Sequence, residues 1–200
     1  MGLRCILKVI PPMQSPEGLT ISGKIIVRSH PAGTLHLYDS LVQLGRNDLA
    51  RELIEGGKIE IEQKNLIVDS SNYGIDILIQ YLISGYTGSL NFSLGPSWGE
   101  IGTGMTTPAL SDTALTTPTN RASVSYAYDS AFNTAVLQFF FPDSVLANEN
   151  YYEFGTFGGS TASSVIGSGN MFNHALFASA YSKSAGSDTT VEVDIAIANS

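Results

Sequence analysis

Three stretches of this chain place residue types at spacings that cofactor binding or catalysis uses, and each lacks a residue that the chemistry requires. Gly102-Thr103-Gly104 opens like a dinucleotide-binding loop, but Thr107 stands where the third glycine belongs. No helical pattern follows to present its N-terminus to a pyrophosphate. Gly158-Gly159-Ser160-Thr161-Ala162 resembles a nucleophile elbow with its last glycine replaced, and it lacks the strand-then-helix setting that exposes such a serine. Asp69, Ser71 and Gly74 fall at three EF-hand loop positions, yet Tyr73 and Gln80 occupy places where oxygen ligands, including the bidentate glutamate, are needed.

The isolated titratable residues read as structural. His30, His36 and His174 belong to no HExxH pattern and no Cys/His cluster, so each is expected at the surface or in a structural hydrogen bond. The single cysteine, Cys5, has no partner for an intrachain disulfide, which fits folding in a reducing cytosol. Flanked by Ile6, Val9 and Ile10, it reads as a small buried hydrophobe. Glu60 and Glu62 sit on the solvated side of a strand. Glu153 differs, because it lies among Tyr151, Tyr152, Phe154 and Phe157, where a carboxylate needs a partner. Arg121 is the expected partner, and a general-acid role for Glu153 is the alternative. No residue is assigned as catalytic, cofactor-binding or metal-binding, and the expectation is a chain that is no enzyme and carries no cofactor.

The elements that hold these residues follow from composition and periodicity. A chain of 200 residues is long enough to bury roughly 70% of its unfolded surface without disulfide or metal staples. The net charge is −8, and it is unevenly spread: residues 1–85 hold eight basic and nine acidic side chains, residues 86–200 two and nine. Such a balance excludes a protein that grips phosphate backbones. A weakly charged Gly, Ser, Thr and Ala background suits a β surface packed on other protein. Arg4 and Lys8 interrupt the apolar N-terminus before Pro11-Pro12, unlike a signal peptide, and the longest apolar run, Ile75 to Ile83, is too short to span a bilayer.

Residues 21–28 and 58–68 read as strands, the second with Ile59 and Ile61 facing one way and Lys58, Glu60 and Glu62 the other. A helical insertion, 39–55, lies between them. In it Asn47 caps Asp48 to Glu55, whose Leu49, Leu53 and Ile54 form one stripe, and Gly56-Gly57 stops it. A second helix over 72–84 carries Ile75, Leu78, Ile79 and Leu82 on one face. After Tyr86 the signal is β: 122–128, 135–141, 151–157, 172–181 and 191–198. The expected fold is mainly β, an antiparallel sandwich or jelly roll, with two short helices in the N-terminal half. Residues 1–85 and 86–200 are expected to share one compact domain. Trp98 to Arg121, rich in Gly, Thr and Pro and nearly uncharged, reads as an ordered, packed loop.

The order of certain residues resembles a module of tailed-bacteriophage structural proteins. Asn65-Leu66-Ile67-Val68, a short helix, Ile101-Gly102-Thr103-Gly104, Thr107-Pro108, Asp112, Leu115 and Arg121 carry the likeness. So do Tyr152 to Gly158, Met171-Phe172 and the alternation Val191 to Ile197. The likeness spans roughly 58–200. It departs at Asn120, where the pattern has a glutamate before the arginine, and in the insertion 39–55. The resemblance implies a non-enzymatic virion component made in the bacterial host cytoplasm: a compact tail or baseplate adaptor, fibre base or capsid decoration protein. It implies partners among other virion proteins and a homo-oligomer, with a trimer as the expected form, and neither nucleic acid nor membrane. A carbohydrate-binding β-sandwich for host-surface recognition is the alternative, using rings from Tyr86, Trp98, Tyr126, Tyr128, Tyr151 and Tyr152 on one exposed face. A glycan hydrolase would need paired carboxylates across a cleft.

Overall fold

Eight strands close into an antiparallel barrel in the computed structural model, which describes residues 19–68, 95–129 and 134–199. In chain order the elements are β1 (Leu19–Pro31), α1 (Thr34–Gln43), α2 (Asn47–Glu55), β2 (Lys58–Ile67), β3 (Trp98–Gly102) and β4 (Pro118–Asp129). They continue with β5 (Thr134–Phe141), β6 (Asn150–Gly158), β7 (Asn170–Ser182) and β8 (Ser187–Asn199). Around the barrel the order is β1-β2-β7-β6-β3-β4-β5-β8, so strands from both halves of the sequence share one core.

The chain is mainly β with two short helices in its N-terminal half, but the sandwich expected from the strand pattern is replaced by a closed barrel. Two strands make the difference. β4 pairs with β3 up to Ser123 and with β5 from Val124 onward, and β2 pairs with β1 over most of its length before Leu66 and Ile67 turn to β7. Each thereby belongs to two layers and seals an edge that a sandwich would leave open.

The interior is apolar and aromatic. Ile25 and Val27 of β1, Phe139 and Phe141 of β5, Phe154 of β6, Phe172 of β7 and Val191 and Val193 of β8 are all fully buried there. Leu146, in the loop after β5, closes one end. Ile59 was expected to face inward with Ile61; instead it is 49% exposed. The β1–β2 register shifts between Val27 and Arg28, so that Val27 meets Ile61 while Arg28 meets Ile59, and the extra residue sends Ile59 to the outer side.

The insertion 39–55 is two helices, the first beginning at Thr34, broken at Gly45 (φ 71°). Asn47 does not cap the second; Arg46 holds the cap position and makes no side-chain capping bond. Both helices lie on the outer face of the barrel. Leu35, Tyr38, Ala50 and Ile54 pack there with Tyr126 of β4 and Phe140 of β5, which explains why β5 is buried on both faces. The helix expected over 72–84, Cys5 and Asp69 to Gln80 lie outside the described residues.

Candidate functional site: the loop-covered wall

The opposite wall, formed by β7, β6 and β3, is covered by two loops instead of helices. Residues 103–117 join β3 to β4 at one end of the barrel, and residues 159–169 join β6 to β7 at the other. A buried carboxylate pins each.

Glu100 of β3 holds the 159–169 loop. Alternation places Ile101 in the core and Glu100 on the outer face, opposite Arg121 of β4. Their side chains form an ion pair, 0% and 1% exposed. Glu100 also accepts the Gly167 N–H at 2.6 Å, and Arg121 donates to the Ser168 carbonyl at 2.8 Å. The guanidinium lies over the rings of Phe157 and Trp98, 4.9 and 5.4 Å from their centroids, an additional electrostatic tie.

Glu153 of β6 holds the 103–117 loop. It accepts N–H bonds from Gly104 (3.1 Å), Thr116 (3.0 Å) and Thr117 (2.7 Å), which fastens the neck of the loop. His174 of β7 lies between two carboxylates: Nδ1 is 2.7 Å from Asp112 of the loop and Nε2 is 3.3 Å from Glu153. Burial works to raise the Glu153 pKa, but the hydrogen bonds from His174, Thr117 and Thr116 prevail and hold it below the usual value. Burial works to lower that of His174, and the bonds to Glu153 and Asp112 prevail and raise it.

Glycines make the close approach possible. A Cβ at Gly104 would strike the Glu153 carboxylate, and one at Gly155 would lie 2.8 Å from the Asn173 carbonyl and 3.1 Å from Leu115. Leu115 thereby seats on the wall with Val68, Phe157 and Met171. Since Gly155 and Glu100 are cross-strand partners, the two loops meet over the same strands.

The expected Glu153–Arg121 pair is not formed. Arg121 faces Glu100 directly across the β3–β4 ladder, whereas Glu153 opposes Gly102, which leaves its carboxylate under the loop neck. Glu100 was missed, although the reasoning applied to Glu153, an isolated carboxylate among apolar neighbours, would have found it. His174 is the hydrogen-bonded structural histidine that was expected; its link to Asp112 spans 62 residues and left no local signal.

The remaining candidates are dispersed. Thr103 and Gly104 form the loop neck, closed by the Thr103 N–H to the Thr117 carbonyl, and the ends of the Trp98 to Arg121 stretch are strands, not loop. Gly159 begins the second loop with φ 88°. His30 is buried beneath the helices and His36 is exposed. Glu60 and Glu62 pair with Lys58 and Lys24 on an outer strand face. Among the rings proposed for glycan stacking, Tyr151 is fully buried in the core and Tyr126 packs against Tyr38 of α1, so the described ones form no single exposed platform.

Chemically the wall is built to hold loops by ionised groups. Among the described residues no cluster of His, Cys, Asp or Glu is arranged to hold a metal ion, and no helix is long and apolar enough to cross a membrane. Compared with protein-family models, curated proteins and solved structures, the chain matches none.

Proposed function

We propose that this chain is a non-enzymatic structural component of a tailed-phage virion, a compact adaptor, fibre base or capsid decoration protein that acts by protein–protein assembly. One observation carries the reading: the two cations after residue 85, Arg121 and Lys183, are both sealed in ion pairs, their side chains 1% and 0% exposed. Meanwhile the loops present Met105, Leu110, Val165 and Ile166, all more than 40% exposed. A surface to which residues 95–199 contribute no exposed Lys or Arg, with apolar side chains on its loops, suits a protein interface better than a nucleic acid. Some of the residues that carry the phage resemblance, Gly104, Asp112, Leu115, Arg121, Glu153 and Met171, take part in fastening the loops.

Permanent assembly calls for interfaces of about 2,000 Å² or more. Light scattering on the purified chain, with mass spectrometry of purified particles from the producing host, tests the proposal. A homo-oligomer retained in particles is expected. A stable monomer absent from particles overturns it, while retention on a glycan array or depolymerisation of a polysaccharide moves the assignment to recognition or hydrolysis.

A further inference from the structure

We propose that the 103–117 loop is a proton-operated flap, held shut by the imidazolium of His174 and released at its apex when that ring loses its proton. The geometry carries this. Each ring nitrogen faces a carboxylate oxygen, Nδ1 that of Asp112 at 2.7 Å and Nε2 that of Glu153 at 3.3 Å. A neutral imidazole has one N–H and one lone pair, so one carboxylate would always meet a lone pair; only the protonated ring donates to both. The His174 side chain is 2% exposed, which leaves little room for water to make up a lost bond.

The charges around the ring are set by its neighbours. The loop supplies Asp112 and β6 supplies Glu153, while the register partners of His174 are Leu66 on β2 and Gly155 on β6. Lys64 stands two residues along β2 from Leu66 and is exposed. Deprotonation therefore turns a triad of one positive and two negative groups into a neutral ring between a buried carboxylate, Glu153, and a partly exposed one, Asp112.

The two carboxylates are not equally tethered. Glu153 keeps the N–H bonds of Gly104, Thr116 and Thr117 whatever the state of the ring. Asp112 otherwise accepts only the Ala109 N–H within its own loop, so among the described contacts His174 is its tie to the barrel. Loss of the proton leaves one N–H for two carboxylates and reduces the tie of Asp112 from an ion pair to at most a neutral hydrogen bond, which loosens the apex and leaves the neck in place. Lifting withdraws Leu115 from Gly155 and Met171 and opens an apolar seat on the wall.

The test uses the whole chain. Nitrogen-15 NMR of the His174 ring and hydrogen exchange of the loop amides are followed from about pH 6 to about pH 9, with exchange corrected for its intrinsic pH dependence. The expected result is a ring that stays protonated above the ordinary histidine range. Across its titration, protection of the amides from 109 to 115 falls by about tenfold or more while Gly104, Thr116 and Thr117 remain protected. Asp112→Ala, which removes the acceptor altogether, should abolish the pH dependence and leave the apex open throughout. A ring already neutral at the acid end, or apex protection that is flat across the titration, overturns the proposal; both readouts need only the unmodified chain.

Discussion

The barrel wears two coverings, and the pKa of the buried histidine nearest each is shifted in the opposite direction. Under the helices, His30 donates or accepts at Thr190 (3.0 Å), and its pKa is pushed down to about 4, by burial first and by Arg28 second, with Asp188 opposing. Under the loops, His174 is raised by its two carboxylates despite its burial. The difference follows from what attaches each cover. Helices satisfy their own backbone groups and press an apolar stripe, Leu35, Tyr38, Ala50 and Ile54, on Phe140 and Tyr126. A loop has unpaired N–H and C=O groups, and it can lie against a strand only where side chains such as Glu153, Glu100 and Arg121 receive them. Asp188 receives one helix N–H, that of Leu35, whereas the loop necks depend on carboxylates at several backbone groups.

The largest effect should come from breaking the Glu100–Arg121 pair on one side. Arg121→Ala leaves Glu100 buried without its cation and frees Ser168, at a cost of about 3–5 kcal/mol. For a chain of this size that lowers the melting temperature by roughly 10 °C, measurable by calorimetry. A loss below about 1 kcal/mol would mean that the pair is effectively solvated and that the polar attachment is weaker than its geometry indicates.

A slightly smaller loss, about 2–4 kcal/mol, is expected from Ile54→Ala, which empties a fully buried site beneath α2. Its location should differ: hydrogen exchange should rise in α1 and α2 while Gly167 and Thr117 stay protected. Spread of the loosening to the loop wall would show that the two covers are coupled through the barrel.

Replacing both partners of a buried pair separates the walls more finely. Arg28 and Glu192, beneath the helices, are 3.3 Å apart, and Arg28 Nε has no hydrogen-bond partner in the structure. Arg28→Met with Glu192→Leu and Gln138→Leu, which also removes the buried amide that donates to Glu192, should be neutral or stabilising, because no loop backbone depends on that group of side chains. Glu100→Leu with Arg121→Met should instead release the 163–168 segment, seen as rapid proteolysis there. Equal tolerance of both combined changes would erase the distinction.

How much of this was legible follows from the same division. Strands β2, β4 and β8 announce themselves by alternation, β5 by an unbroken apolar run, β1, β6 and β7 by apolar and aromatic composition, and Gly56 marks the end of α2, because these signals are local. β3 does not: two of its five residues are glycines, and it runs into a glycine-rich loop. Barrel closure depends on β2 and β4 changing partners, which no local pattern records. Glu153 was recognisable as needing a partner, yet three of the groups that satisfy it are backbone N–H groups, which look alike at every position.

The smallest effects separate the walls by pH. Lowered below its ordinary 6.5, His30 is bound neutral, so its support for the helix wall is whole above that value and is lost as pH falls toward about 4. His174 has the opposite sign: its raised pKa makes its contribution whole below 6.5 and lost as pH rises through the folded value. Glu153, lowered from 4.5, contributes above that value and fails as pH falls through its folded value. Between about 4.5 and 6.5 the loop wall therefore keeps both of its supports while the helix wall is already losing one. Hydrogen exchange across that interval should show α1 and α2 opening first on acidification, and the 103–117 loop opening first on the alkaline side. His30→Asn should flatten the acid response of the helices and leave the alkaline response of the loop unchanged. Simultaneous opening of both covers at either end would mean that they report one global transition and that the barrel wall between them transmits what each histidine senses.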